Sequence, residues 1–381
     1  MKQSKKKTSK HIAMIGHKHV PSREGGVEIV VWELSTRLKE RGFIVDCYNR
    51  GGYHLTSRDY DHYKDKKGNY RDGIRIIIVP TVKNGKFNAI VYSFFATIRA
   101  LFGHYDCIHY HAEGPCLMIW LPKILGIHTV ATIHGLDWQR AKWGGFATKM
   151  LRLGEKFAAK YADEVIVLSD NVREYFEKTY SRKTLFIPNG VNRPTYKKAN
   201  LILEKYGLNG NDYFMTLCRI VPEKGIHYVI EAFKDLPTDK KLVICGGDSN
   251  AREYMEQIKK MASHDDRIIM TGFIQGEILE ELLSNAYVYL LPSDVEGMSI
   301  SLLEAMSYGN CCLVSDIKEN VEVVEDKAVS FKHGNVPDLA LKMQEFIQNP
   351  ERVNAYKSKA ADFICTKYSW EDVTDRTAEL Y

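Results

Sequence analysis

Long apolar runs are missing from this sequence. No stretch of about 18–20 apolar residues occurs, so no membrane-spanning helix is expected. The nearest candidate, residues 87–102, is interrupted by Asn88, Ser93, Thr97 and Arg99 and reads as a buried helix. Cysteine pairs at metal or redox spacing are missing too. The eight cysteines stand at 47, 107, 116, 218, 245, 311, 312 and 365, none as C-x-x-C and most within apolar runs. They read as small buried hydrophobes in a reducing compartment. The start, Met1–Lys10, carries five lysines, but the apolar stretch after it, 12–16, is too short for a signal peptide. A cytosolic chain is therefore expected. No short internal repeat recurs. Excess charge is small, at +5. That is well short of a dedicated nucleic-acid binder, and it suits a protein that meets phosphates or an anionic membrane surface.

What is present is ordinary globular material. The 381 residues are 45% hydrophobic, 11% aromatic and 27% charged, enough for two domains with real cores. A disordered chain, a collagen-like fibre and a disulfide-stapled scaffold are excluded. Short β-branched runs alternate with helical periods. Ile12–Ile15, Ile44–Tyr48, Ile74–Val79, Cys107–Tyr110, Thr129–Ile133 and Val165–Leu168 read as strands, with helices at Glu28–Arg41, 87–102 and Gly145–Tyr161. The pattern restarts with strands at Phe214–Cys218, Lys241–Cys245, Ile268–Thr271, Val288–Leu291 and Cys311–Ser315. Helices at Gly225–Lys234, Arg252–Met261, Glu277–Asn285 and Ser301–Tyr308 lie between them. Such alternation predicts two α/β units with parallel sheets. The break falls after Ile187-Pro188-Asn189-Gly190, and 191–211 reads as a linker and lead-in helix. Arg58–Arg75 reads as a solvated loop or hairpin, and Trp370–Tyr381 as a short amphipathic helix. Ligands of parallel sheets bind beyond the carboxyl ends of strands, and for two such domains the cleft between them is the natural site.

Three loops after strands carry the chemistry. The first, Gly16–Gly26, ends in Arg23-Glu24-Gly25-Gly26 before a helix. Its glycines let backbone approach a ligand, and the helix N-terminus offers N–H groups to an anion. It is not G-x-G-x-x-G; a plain tight turn is the alternative. The second, Arg219-Ile220-Val221-Pro222-Glu223-Lys224-Gly225, offers a planar fork and a point charge beside backbone donors. That set suits a diphosphate, and a solvated charge pair is the alternative. The third runs from Pro292 to Met306. Glu296 lies on the loop, Glu304 eight residues later in a helix, and Gly297, Met298 and Ser299 present consecutive N–H groups. A loop carboxylate beside an anion-binding turn suits sugar hydroxyls next to a phosphate, and a carboxylate one turn into the helix suits a ribose diol. Surface glutamates without a role are the alternative.

Together these segments resemble family 4 glycosyltransferases: the E-x7-E pair Glu296 and Glu304, the R-I-V-P-E-K-G run with Arg219 and Lys224, and the Gly25-Gly26 loop. Tyr161-Ala162-Asp163-Glu164-Val165-Ile166-Val167-Leu168-Ser169 and Ile187-Pro188-Asn189-Gly190-Val191 add to the resemblance. The match runs in order from about residue 11 over nearly the whole chain. The resemblance implies a retaining enzyme of α/β, GT-B fold, with two Rossmann-like domains facing a central cleft. Residues 1–190 would form the acceptor-binding domain, with 370–381 packing back on it, and 191–369 the nucleotide-sugar domain. Arg219 and Lys224 would clamp the donor diphosphate, Glu304 would hold the ribose, and Glu296 would contact the sugar with the Gly297, Met298 and Ser299 amides near the phosphate. Gly25 and Gly26 would approach the leaving phosphate. His111 in H-Y-H-A-E-G-P matches the family histidine near the reacting face of the sugar, with His109, two residues back, as its competitor. Gly297-Met298-Ser299 lacks the proline and aromatic of the usual family turn, which leaves the donor sugar open. The one D-x-D, Asp59-Tyr60-Asp61, lies in the mixed-charge stretch read as a solvated loop and is not among the segments that carry the resemblance. The resemblance therefore implies no metal and no cofactor beyond a nucleotide diphospho-sugar as co-substrate.

The expected reaction moves a hexose, with retention, to a glycan or lipid-linked acceptor in capsular or O-antigen-type polysaccharide synthesis. On the acceptor side, His134 and Asp137 would meet hydroxyls and Trp138 would stack on a sugar. Arg140, Lys142, Trp143, Lys149, Arg152 and Lys156, with Lys2, Lys5, Lys6, Lys7 and Lys10, suit an anionic lipid surface or a lipid diphosphate. A solvated helix face and a disordered tail are the alternatives. The expected location is the cytoplasm, peripheral on the inner face of the plasma membrane, with no nucleic-acid partner. Two rivals are a GT-B-like nucleotide-sugar 2-epimerase and a non-catalytic nucleotide-sugar binder.

Overall fold

The computed structural model describes residues 9–52, 64–65, 68–82, 85–139, 144–247 and 251–381. The expectations placed on Lys2, Lys5, Lys6, Lys7, Arg140, Lys142 and Trp143, and on residues 58–63 and 66–67, lie outside them. The chain divides into two compact units. One takes the residues up to Gln139, 144–189 and Trp370–Tyr381; the other takes Gly190–Ser369.

The first unit is built on a nine-stranded sheet. Its strands are β1 (His11–Ile15), β2 (Ile44–Arg50), β3 (Lys64–Asp65), β4 (Gly68–Arg71), β5 (Ile74–Val79), β6 (Cys107–His111), β7 (His128–Ile133), β8 (Glu164–Val167) and β9 (Leu185–Phe186). They lie in the order β3-β4-β5-β2-β1-β6-β7-β8-β9. All neighbours from β5 to β9 pair in parallel, and β3 and β4 add an antiparallel edge. Strands covered on both faces need apolar side chains on both. Ile12, Ala13, Met14 and Ile15 accordingly have no exposed surface, and every residue of β6 is buried. The helix Trp370–Ala378 packs on the helix Gly26–Glu40. Arg41 reaches Glu371 at 2.7 Å and Asp375 at 2.5 Å, and Arg37 reaches Glu371 at 3.1 Å while lying over the Trp370 ring.

The second unit holds six parallel strands, β10 (Tyr213–Leu217), β11 (Lys241–Cys245), β12 (Ile268–Gly272), β13 (Val288–Leu291), β14 (Cys311–Ser315) and β15 (Val329–Phe331), in the order β12-β11-β10-β13-β14-β15. The order reverses at β10 and β13, the place where a doubly wound sheet opens a crevice at its carboxyl end. Phe214, Ile244, Val288, Leu313 and Phe346 centre its core.

Among the described residues, five α-helices escaped the sequence pattern: Trp120–Ile124, Asp170–Tyr180, Lys318–Val324, Val336–Gln348 and Pro350–Lys367. A further expectation is corrected. The helix Gly85–Leu101 is not buried all round: Phe87, Phe94 and Phe95 are exposed, and its inner side carries Tyr92, Ser93, Ala96, Thr97 and Ala100. Small and hydroxyl-bearing residues face inward because the backbone lies close to the sheet. Tyr92 Oη donates to the Tyr48 carbonyl at 2.5 Å, and Thr97 Oγ1 meets Tyr110 Oη at 3.0 Å. No described helix is long and apolar enough to cross a membrane.

Candidate active site

In the second unit, β10 runs into the loop 218–225 and β13 into the loop 292–299. Gly225 makes their contact possible. Its φ is +63°, and an added Cβ would lie 2.2 Å from the Pro292 carbonyl oxygen. Only glycine combines that backbone with that approach. The Asp294 amide donates to the Glu223 carbonyl at 2.9 Å, closing the two loops together. Lys224 Nζ then meets Glu296 Oε1 at 2.5 Å, and Ser293 Oγ donates to the same oxygen at 2.7 Å. Both charged side chains are largely covered, at 14% and 8% exposure. Arg219, half-buried two residues past the end of β10, has no ion pair or side-chain hydrogen bond among the described residues. Ser299 caps the helix Ile300–Ser307 by accepting from the Leu302 amide, so the Gly297, Met298 and Ser299 backbone lies at that N-terminus. Glu304 lies half-buried within the helix.

In the first unit, the carboxyl ends of β1, β6 and β7 gather histidines. Gly16, with φ at +131°, follows β1, and an added Cβ would lie 2.1 Å from the His111 carbonyl oxygen. His17, fully buried, meets Asn49 Oδ1 at 2.9 Å; burial pulls its pKa down to about 4 against the pull of Glu28. Glu28, in the first turn of Gly26–Glu40, accepts from the Lys18 amide at 2.8 Å. Burial alone would raise that carboxyl, but the Lys18 amide and the Lys18 and His17 charges hold it below the ordinary value. Gly25 precedes the helix as its N-cap and Gly26 is exposed at its first position.

His109 and His111 stack with ring centroids 4.2 Å apart. His109 has both nitrogens occupied, by Tyr381 Oη at 2.6 Å and Thr132 Oγ1 at 2.7 Å. His111 Nδ1 meets His134 Nε2 at 3.1 Å, while its Nε2 is buried with no protein partner. Burial takes the His109 pKa to about 3, and burial with the His109 and His134 charges takes His111 well below the ordinary value. Both rings are therefore neutral at physiological pH.

Glu113 is the residue that sequence reasoning passed over. It has no exposed surface, accepts from the Asp137 amide at 2.9 Å through Oε1, and leaves Oε2 without a partner. Burial and the nearby Asp137 charge push its pKa well up, so it carries a proton where most carboxyls do not. The only signal in the sequence was its place in H-Y-H-A-E-G-P, after the strand end. Trp138 is half-buried: its Nε1–H donates to Glu155 Oε2 at 3.1 Å, and the Arg152 guanidinium lies 4.2 Å from the ring centroid. One of its faces is thus already taken. The structure brings Lys224, Glu296 and the Gly297–Ser299 turn together in one unit, and His111 and His134 in the other. It ties Asp137 to Glu113 through the Asp137 amide, and it sets Glu304 inside the helix that follows the Glu296 loop.

Two family models match the chain, Glycosyltransferase Family 4 over residues 24–193 and Glycosyl transferases group 1 over residues 200–363. Alpha-D-kanosaminyltransferase of Streptomyces kanamyceticus is 25% identical over 72% of this chain and 76% of its own. The UDP-Gal:alpha-D-GlcNAc-diphosphoundecaprenol alpha-1,3-galactosyltransferase of Escherichia coli is 27% identical over 68% of this chain and 71% of its own. The crystal structure of Anabaena HepE with UDP and glucose superposes with a TM-score of 0.79 at 16% identity, covering 97% of this chain and 98% of that one. Two parallel α/β units, loops of this type after their strands, and these matches together place the chain in glycosyltransferase family 4, with the GT-B fold.

Proposed function

We propose that this glycosyltransferase moves a hexose, with retention of anomeric configuration, from a nucleotide diphospho-sugar to a glycan or lipid-linked acceptor in polysaccharide synthesis of the capsular or O-antigen type. One observation carries the reading. Gly225 holds the Arg219 loop against Pro292, so an unpaired guanidinium lies in the same loop cluster as the buried Lys224–Glu296 pair. A diphosphate arriving there meets Arg219 and Lys224 as cations and the Gly297–Ser299 amides as donors, and Glu296 is left to bind sugar hydroxyls. Charge on the leaving diphosphate is met by these groups, so the reading requires no metal ion and no cofactor. The relative that acts on a diphosphoundecaprenol-linked sugar and the neighbour crystallised with UDP and glucose support this donor and acceptor chemistry.

Catalysis in this reading is positioning plus electrostatic stabilisation. A retaining glycosidase keeps an ionised carboxylate as nucleophile. Glu113, near His111 in sequence, has its pKa pushed well up by burial and the Asp137 charge, which disfavours the ionised form a nucleophile needs. The acceptor hydroxyl attacks instead from the face the diphosphate leaves, and its proton goes to the departing phosphate oxygen. Neutral His111 offers Nε2 to a sugar hydroxyl, and His134 and Asp137 bind the acceptor. The protein works on the cytoplasmic face of the plasma membrane. The test incubates the full chain with UDP-, GDP- and dTDP-hexoses and a diphosphoundecaprenol-linked sugar, with and without EDTA. One donor should give an α- or β-linked product matching its own anomer by NMR, with EDTA having no effect. An inverted product, release of free epimer without acceptor, or loss of turnover in EDTA overturns the corresponding part.

A further inference from the structure

The helix Gly85–Leu101 is amphipathic in the wrong sense for a core element. At 100° per residue, Phe87, Phe94, Phe95 and Phe102 fall within one outward arc of about 100°. Their exposures are 47%, 44%, 44% and 79%. Three exposed phenylalanines on one helix, with a fourth just past its end, exceed the scattered apolar residues normal on a surface. The arc continues into a second helix. Phe87 lies 6.2 Å from Phe146, itself 57% exposed, at the start of Gly145–Tyr161. On that helix Lys149, Arg152, Lys156 and Lys160 are exposed at spacings of three and four residues, on one face. Its only carboxylate, Glu155, is buried and accepts from Trp138, Tyr175 and Tyr180. The helix Gly85–Leu101 has no carboxylate at all.

We propose that this face docks the chain onto an anionic lipid bilayer, with the phenylalanines entering the headgroup–acyl boundary and the cationic row lying on the headgroups. Aromatic wedges beside a lysine–arginine row are the composition that interfacial binding requires. The basic row selects this occupant over a second copy of the chain. A two-fold contact through the same patch would set the four cations against their own images. The inference deepens the membrane-facing part of the proposed function and uses none of the donor-binding residues.

Flotation of the full chain with vesicles tests it, using equal parts phosphatidylcholine and phosphatidylglycerol against phosphatidylcholine alone. The wild-type chain should float with the anionic vesicles and stay behind with the neutral ones, and added salt should weaken it. Phe94→Ser with Phe95→Ser should cut the bound fraction about tenfold or more with no change in melting temperature. Lys149→Glu with Lys156→Glu should abolish the preference for anionic vesicles, keeping the test independent of the phenylalanine variant. Turnover on a water-soluble acceptor should be unchanged in both variants. A wild-type chain that ignores anionic vesicles, or variants that float as it does, would overturn the proposal. So would a sedimentation shift from dimer to monomer in the phenylalanine variant, which assigns the face to self-association. Loss of transfer with flotation intact would count against the reaction and leave the docking face standing.

Discussion

Replacing Glu113 by glutamine gives a direct reading of its proton. Glu113 is fully buried, its Oε2 has no partner, and the Asp137 and Glu155 charges face it. Its pKa in the folded chain lies well above the ordinary value of 4.5. The folded state therefore keeps a proton that the unfolded chain gives up above that value. Stability must fall as pH rises from there, by about 1.4 kcal/mol per pH unit, until the folded pKa is reached. Glutamine keeps the acceptor for the Asp137 amide and has no proton to lose. The Glu113→Gln chain should therefore gain on the wild type as pH rises, from no pH-dependent difference at or below 4.5 to at most about 3.4 kcal/mol at pH 7. For a domain of 150–250 residues, about 2–4 °C per kcal/mol turns this into a Tm difference of up to about 7–14 °C. Differential scanning fluorimetry of both proteins from pH 4 to 8 measures it, because every other titration cancels in the difference. A flat difference across that range, or one that shrinks as pH rises, refutes the neutral-acid reading.

Other substitutions separate binding from architecture. Arg219→Ala and Lys224→Ala should each lower kcat by on the order of 10²–10³ if both meet the leaving diphosphate, measured with the donor identified by the transfer assay. They should differ in stability. Lys224→Ala leaves Glu296 unpaired at 8% exposure and should cost about 3–5 kcal/mol, whereas Arg219→Ala should stay within about 0.5 kcal/mol by thermal denaturation. Gly225→Ala should lower donor affinity and stability together, since both its φ of +63° and the 2.2 Å approach to Pro292 must give way. Tyr381→Phe strips the hydroxyl from buried His109 Nδ1 and should cost about 1–3 kcal/mol in thermal denaturation.

The fold was legible where burial is two-sided. Central parallel strands read as unbroken apolar runs, so Lys241–Cys245, Val288–Leu291 and Cys311–Ser315 match the structure at both ends. Strand β15 has three residues, too few to show a period. The helix Asp170–Tyr180 buries only Val172 and Phe176, so little of it announces a core face. The helix Gly85–Leu101 was misread for a different reason. Periodicity reports that a helix has an apolar face but not which way that face points. Close approach to the sheet selected the small residues for the inner side.

The same limit applies at the histidines. Alternation along β6 places His109 and His111 on one side of the strand, so periodicity does not choose between them, and the choice of His111 rests on its match to the family histidine. What separates them comes from distant parts of the chain. Tyr381 and Thr132 use both nitrogens of His109, which makes that ring a neutral plate beneath His111. His134 uses only Nδ1 of His111 and leaves Nε2 open. A ring kept neutral by burial cannot serve as a cation toward phosphate. Its open nitrogen can exchange a single hydrogen bond with a hydroxyl, and the His134 partner decides the direction. If His134 donates to Nδ1, Nε2 carries the proton and donates; if His134 accepts, Nε2 accepts. His134→Phe therefore removes the group that fixes the tautomer without touching Nε2. It should lower kcat while leaving donor affinity unchanged in calorimetry. A variant with wild-type kcat would show that the tautomer of His111 does not matter to the reaction.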